Sequence, residues 1–220
     1  MNESFQCQIW NDFNDKEPLL FIKEVLYSLN DEINLCLKHY SFTNKRNRIP
    51  EDQQMIFWLC TEMSWVSLLS NAMIRRFGLS VCTLREIALH EGEKGYLGRP
   101  DLLVSYHSEN KKYHFLFEGK MDEWKGTWKP KDEEVAMKEY YESIRSQSVK
   151  YVDVLTNEII DEYNPLLVTI GFEWMRSKSA IESAGSYFKK GEFESQTEFC
   201  ALYTRDNSGM WVFGKIFGLE

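Results

Sequence analysis

The chain lacks any long apolar run. Its purest stretches, such as Leu166-Leu167-Val168, are far short of the roughly 20 residues that span a bilayer, so no membrane partner is expected. Residues Met1 to Trp10 are polar, with no basic start leading into an apolar segment. No signal peptide is expected, and the chain reads as cytoplasmic. The five cysteines (Cys7, Cys36, Cys60, Cys82 and Cys200) are scattered and include no CxxC pair. That pattern excludes a disulfide framework and a zinc knuckle, and reads as small buried apolar residues. The four histidines, His39, His90, His107 and His114, form no HExxH or comparable spacing, so a histidine-based metal site is not expected. No glycine-rich phosphate loop and no Ser-His-Asp or Cys-His signature is present. Positive charge is also short. Lys and Arg number 26 against 34 Asp and Glu, a net of −8, whereas a protein held on nucleic acid mainly by charge leans the other way. Only residues 111–150 escape the acidic balance, with 9 basic and 8 acidic side chains, which leaves room for a local basic groove.

What is present is ordinary globular material: 220 residues, 43% hydrophobic and 27% charged, enough for one large domain. Pro18 opens a helix to Tyr40, with Ile22, Val25, Leu26, Leu29, Ile33 and Leu37 at three- and four-residue spacing. Ser41 to Arg48 reads as a polar, basic loop. Pro50 starts a second helix that runs to Phe77 and stops at Gly78. The periodicity then changes. Strands are expected at Ser80–Leu89, Pro100–Tyr106 and Tyr113–Lys120, with turns at His90–Gly98 and Ser108–Lys112. A Trp- and Lys-rich loop (Met121 to Lys131) leads to a long helix, Asp132 to Leu155, with three acids in its first turn. Pro165–Trp174 is an apolar strand, and Ser177–Phe188 has no clear pattern. Thr197–Thr204 and Met210–Phe217 form a terminal hairpin through Asp206-Asn207-Ser208-Gly209. The order indicates one α/β domain with a mixed sheet. Residues 1–50 form an N-terminal helical extension packed on a core of 51–220.

The most informative stretch is Gly98-Arg99-Pro100-Asp101-Leu102-Leu103-Val104, followed after a turn by Phe115-Leu116-Phe117-Glu118-Gly119-Lys120. Side chains alternate along a strand, so Glu118 and Lys120 share one face, and Phe115 and Phe117 the other. Pairing of the two strands as a hairpin brings Asp101 towards Glu118. Two carboxylates meeting at the end of an apolar sheet repel unless a cation lies between them, and oxygen-only ligation suits Mg²⁺ or Mn²⁺. A lysine beside such a metal can orient a water molecule and stabilise charge developing on a phosphate. Glu62 falls on the apolar stripe Met55, Trp58, Trp65, Val66, Leu69 and Met73 of the second helix, where an acid is costly to bury without a partner.

These residues resemble the PD-(D/E)xK nucleases, over roughly Asp52 to Trp174. The resemblance implies a restriction-endonuclease-like α-β-β-β-α-β core: a mixed four-stranded sheet flanked by helices, here with an added N-terminal helix and C-terminal β-hairpin. It further implies that Asp101 and Glu118 hold the metal, with Lys120 as the catalytic lysine. The helical acid of many members falls on Glu62, with Glu86 as rival; Gln147 or Lys138 stands where an assisting polar residue is often found. Gly119 departs from the usual apolar residue between acid and lysine, on the face expected to point away from the metal.

The expected function is Mg²⁺- or Mn²⁺-dependent hydrolysis of nucleic acid, DNA in the first instance. The fold permits an isologous homodimer for double-strand cutting. Two other readings stay open. One is an inactive nuclease-like domain that binds nucleic acid or protein in a defence or repair assembly. The other is a soluble α/β protein whose PD and EGK are coincidental. The cluster Trp124, Lys125, Trp128, Lys129 and Lys131 mixes aromatics and cations as nucleic-acid-binding loops do, and Lys45-Arg46-Asn47-Arg48 could touch phosphates; a surface loop is the plainer account of each.

Overall fold

A computed structural model describes residues 4–10, 16–39, 62–90, 95–109, 111–123, 146, 151, 166–175, 177–183, 198–205 and 208–217. Nine strands and two long helices are defined among them: β1 (Gln6–Trp10), α1 (Glu17–His39), α2 (Glu62–Phe77), β2 (Val81–Arg85), β3 (Leu89–His90), β4 (Tyr96–Gly98), β5 (Leu102–His107), β6 (Lys112–Glu123), β7 (Leu166–Met175), β8 (Phe199–Arg205) and β9 (Ser208–Phe217). Ser146 and Tyr151 are helical, as is 178–183 within the stretch that lacked a clear pattern. The expected helices Pro50–Phe77 and Asp132–Leu155 otherwise lie partly or mostly outside the described residues. Of the loop expected at Met121–Lys131, Met121–Glu123 instead extend β6, because they pair with Phe172–Trp174 of β7; the rest of it and the loop at Ser41–Arg48 lie outside the described residues, and with them Lys138 and Gln147.

Seven strands form one mixed sheet in the order β1-β8-β9-β7-β6-β5-β2, and β3 and β4 form a separate two-stranded ribbon. β2, β5 and β6 are an antiparallel succession, β6 and β7 are parallel, and β9, β8 and β1 continue antiparallel to the far edge. The molecule is thus an α/β fold. No helix among the described residues is long and apolar enough to cross a membrane.

Alternation divides each strand between two faces. Leu102 and Val104 of β5, Phe115 and Phe117 of β6, Val168, Ile170 and Phe172 of β7, and Val212 and Ile216 of β9 join the buried stripes of α1 and α2 in one core. Burying each such side chain contributes about 1.5–3 kcal/mol relative to exposure. Side-chain bonds fix the helices in place. Ser28 Oγ donates to the Ala72 carbonyl at 2.9 Å, and Tyr203 Oη donates to the Leu26 carbonyl at 2.8 Å. Glu32, nearly inaccessible, accepts from the Arg75 guanidinium. The opposite face carries a smaller cluster of Leu103, Leu116, Leu167 and Tyr151.

Two departures from the sequence expectation have plain causes. The polar start of the chain contains β1, whose Gln-Cys-Gln-Ile alternation places Cys7 and Ile9 against the core while the glutamines mask it in composition. Asn34 of α1 anchors its entrance, accepting from the Phe5 N–H at 2.6 Å and donating to the Phe5 carbonyl at 3.2 Å. The single strand expected at Ser80–Leu89 ends at Arg85, because Glu86 adopts φ 48° and turns the chain away. Leu89–His90 then pairs with Tyr96–Gly98 in the ribbon, where a turn was expected.

Candidate active site

The site lies where β5 begins and β6 passes it. The ladder pairs Leu102 with Phe117, and one further step sets Asp101 opposite Glu118. β2 pairs Arg85 with Leu102, and the next step sets Glu86 beside Asp101, with the Glu86 N–H donating to the Asp101 carbonyl at 3.3 Å. Three acids therefore lie at one end of three neighbouring strands: Glu118 within β6, Asp101 in the bend just before β5, and Glu86 just after β2. They differ in setting: Glu118 is 2% exposed, Asp101 is half-buried and Glu86 is exposed.

Asp101 is held by β6 itself. The Gly119 N–H donates to Asp101 Oδ2 at 2.7 Å, a charge-assisted bond. Pro100 makes this local geometry natural: it is buried, has no N–H to continue the ladder, and releases the chain into a bend at Asp101. Asp101 is thus fastened between Glu118 and Lys120 in the β6 sequence.

Gly119 requires a correction to the sequence reading. Its side-chain direction does face α2, away from Glu118 and Lys120, but it is not remote from the chemistry. A Cβ there would lie 3.5 Å from Asp101 Oδ2 and 3.6 Å from both Phe172 and Val66 Cγ2. Those are ordinary contacts for a methyl group, while a branched residue would press on the carboxylate. Position 119 therefore bears on the site through both its N–H and its lack of side chain.

Glu62 is the first residue of α2, and its side chain lies outside the described residues, as does that of Lys120. α2 runs antiparallel to β6: Phe77 packs on Tyr106 near the start of β6, and Val66 sits over Gly119. Glu62, one turn before Val66, falls at the same end of the sheet as Asp101, on the α2 side. Lys120 follows Glu118 by two in β6 and is paired with Gly171 of β7. The backbone thus brings Asp101, Glu118, Lys120 and Glu86 to one end of the sheet, and α2 begins at Glu62 over the same end. Among side chains of the described residues, no group of three or more His, Cys, Asp and Glu is close enough to hold a metal ion.

The sequence reading passed over Arg85. Its guanidinium donates to Ser67 Oγ, and Ser67 Oγ donates to the Met63 carbonyl at 2.8 Å, tying the end of β2 to the first turns of α2. Ser70 and Thr83 hydroxyls make a second tie at 2.8 Å. Arg85 directly precedes Glu86, so adjacency to a candidate acid was its available signal.

No protein-family model, curated protein or solved structure matches this chain.

Proposed function

We propose that the protein is a divalent-metal-dependent nuclease of the PD-(D/E)xK kind, acting on DNA. The observation that carries this reading is the bond from the Gly119 N–H to Asp101, which fastens the acid at the entry of β5 to the residue that follows Glu118 in β6. Glu118 is kept at 2% exposure on a sheet face with Leu103, Leu116 and Leu167, and acids buried in this way cluster at functional positions. The chain order α2, β2, β5, β6, a helical segment at Tyr151, and β7 also supports a restriction-endonuclease-like core. Its pairing is antiparallel, antiparallel, then parallel, as that topology requires.

The donor chemistry fits Mg²⁺ or Mn²⁺: Asp101 and Glu118 would hold the ion, with Glu62 completing the acidic set. When bound, the ion supplies Lewis-acid stabilisation and a lowered pKa for water. The protein's own part is positional. The Gly119 N–H holds one Asp101 oxygen and fixes the plane of the carboxylate. Lys120, two residues beyond Glu118, orients the attacking water and offsets charge developing on the phosphate.

The test is cleavage of plasmid DNA with Mg²⁺ or Mn²⁺ by the wild type, Asp101→Asn and Lys120→Ala. Metal-dependent cleavage lost in both variants supports the reading. Equal rates in all three proteins contradict it. Metal binding at Asp101 without cleavage of any substrate would point instead to an inactive, binding member of the fold.

A further inference from the structure

Arginines packed against α2 are used in two ways. Arg75 and Arg76, in its last turn, are each neutralised by an acid of α1, Glu32 and Glu24 respectively. Arg85 meets the other end of the helix and has no such acid. Among the described residues it forms no ion pair, and its Nη1 donates to the neutral Ser67 hydroxyl. The alternation of β2 accounts for its direction: Val81 enters the core, Thr83 bonds Ser70, and Arg85 reaches Ser67, so all three lie on the α2 side of the sheet. The guanidinium is exposed yet oriented, because Ser67 is itself anchored to the Met63 carbonyl. Asp101 comes to the same turn of α2. The Gly119 N–H holds its Oδ2, and a Cβ on Gly119 would touch both that oxygen and Val66 Cγ2. Val66 and Ser67 are consecutive, and Arg85 pairs with Leu102, the residue after Asp101. A fixed cation and a candidate metal ligand thus stand over one helical turn, and the cation is tied to a hydroxyl instead of to the acid.

We infer that Arg85 is the phosphate-binding residue of this site: the guanidinium donors that Ser67 leaves uncommitted bond the nonbridging oxygens of a DNA backbone phosphate beside Asp101. The inference rests on the nuclease reading and supplies a substrate contact to it. Three properties favour a phosphate. The guanidinium fork matches phosphate oxygens bidentately and stays charged at any working pH. The relay through Ser67 to Met63 orders the side chain in advance, so less freedom is lost on binding. The net charge of −8 denies the chain a broad positive surface, so its hold on DNA depends on a few directed cations. A backbone contact carries no base information, and Arg85 therefore sets the position of the strand without selecting its sequence.

The experiment is fluorescence anisotropy with a labelled DNA duplex over a range of salt concentrations in EDTA, on the full chain, with thermal melts of each variant alongside. Arg85→Gln removes the charge and still offers Ser67 an N–H. Arg85→Lys keeps the charge and loses the fork. Lys112→Ala removes an exposed cation at the far end of the β5–β6 ladder and controls for the loss of any one charge. Arg85→Gln should bind roughly 10- to 100-fold more weakly, with a salt dependence flatter by about one phosphate contact. Arg85→Lys should lose several-fold in affinity at an unchanged salt slope, and Lys112→Ala should match the wild type. Wild-type affinity and slope in Arg85→Gln, or an equal loss in Lys112→Ala, overturns the assignment of Arg85; metal-dependent cleavage by the wild type then leaves the nuclease reading standing. No binding of DNA by the unmodified chain, together with no cleavage, overturns both.

Discussion

Replacing Asp101 by Asn isolates the electrostatics of the two acids. Asp101 stands one step before the first paired residue of β5, so its carboxylate and that of Glu118 are taken at the spacing of neighbouring cross-strand side chains, about 5 Å. Two carboxylates at that separation, in the effective dielectric of a partly solvated site, repel by about 3 kcal/mol. The amide oxygen of Asn can still accept from the Gly119 N–H, so at that 2.7 Å bond the substitution forfeits the charge assistance, about 1 kcal/mol. In metal-free buffer Asp101→Asn should therefore be more stable than the wild type by about 2 kcal/mol. For a domain of this size that raises Tm by about 4–8 °C. Metal reverses the order. Mn²⁺ at a hundredfold excess over Kd stabilises the wild type by about 2.7 kcal/mol, and most of that gain disappears with Asp101. Thermal melts with and without Mn²⁺ read both effects. A variant that melts at or below the wild type without metal, and gains as much from Mn²⁺, refutes the argument that the two acids share one ion.

Three further outcomes follow from the same geometry. Lys120→Ala should lower kcat by roughly 100- to 10,000-fold with little change in Mn²⁺ affinity, measured by single-turnover cleavage and metal titration. Gly171→Ala places a Cβ inside the Phe213 ring, so it should cost about 1–3 kcal/mol in urea unfolding; Phe213→Leu in the same chain should restore part of the loss. Glu17 binds the Ser108 and Tyr113 hydroxyls, which holds its carboxyl below the ordinary range; burial and the bond to Glu17 push Tyr113 up to about 12. Because the folded carboxyl is the stronger acid, its contribution is full above the unfolded value of 4.5 and fades as pH falls through the lower folded one. Glu17→Gln should thus melt earlier than the wild type near pH 7 and match it at strongly acid pH.

Much of this architecture is legible in the sequence because the decisive elements are locally consistent. The helix expected from Pro18 spans Glu17–His39, since an apolar residue every third or fourth position leaves no other amphipathic solution. The paired strands around Asp101 and Glu118 are marked by Pro100 at one end and by alternating Phe115, Leu116 and Phe117 inside. The terminal hairpin is marked by the Asp206-Asn207-Ser208-Gly209 run, although Ser208 and Gly209, expected in the turn, already pair as the start of β9. What the sequence does not carry is long-range partnership. Nothing in β9 announces that its outer edge pairs with β7, or that β1 closes the sheet beside β8; those choices are made by packing between distant segments, nearly 200 residues apart in the case of β1 and β8. Local strain was equally hidden. Glu86 at positive φ breaks a run that reads as one strand, because that conformation reflects the ribbon's return path rather than any preference of glutamate. At the site, the types and spacing of Asp101, Glu118 and Lys120 were visible. The grip of the Gly119 N–H on Asp101 was not, because it depends on a bend that only Pro100 hints at.

The account rests on one divalent ion between two opposed carboxylates, and a crystal soaked in Mn²⁺ tests it most directly. An anomalous peak within bonding distance of both Asp101 and Glu118, absent from Asp101→Asn crystals, is the expected result. Mn²⁺ bound elsewhere, or bound equally by that variant, contradicts it.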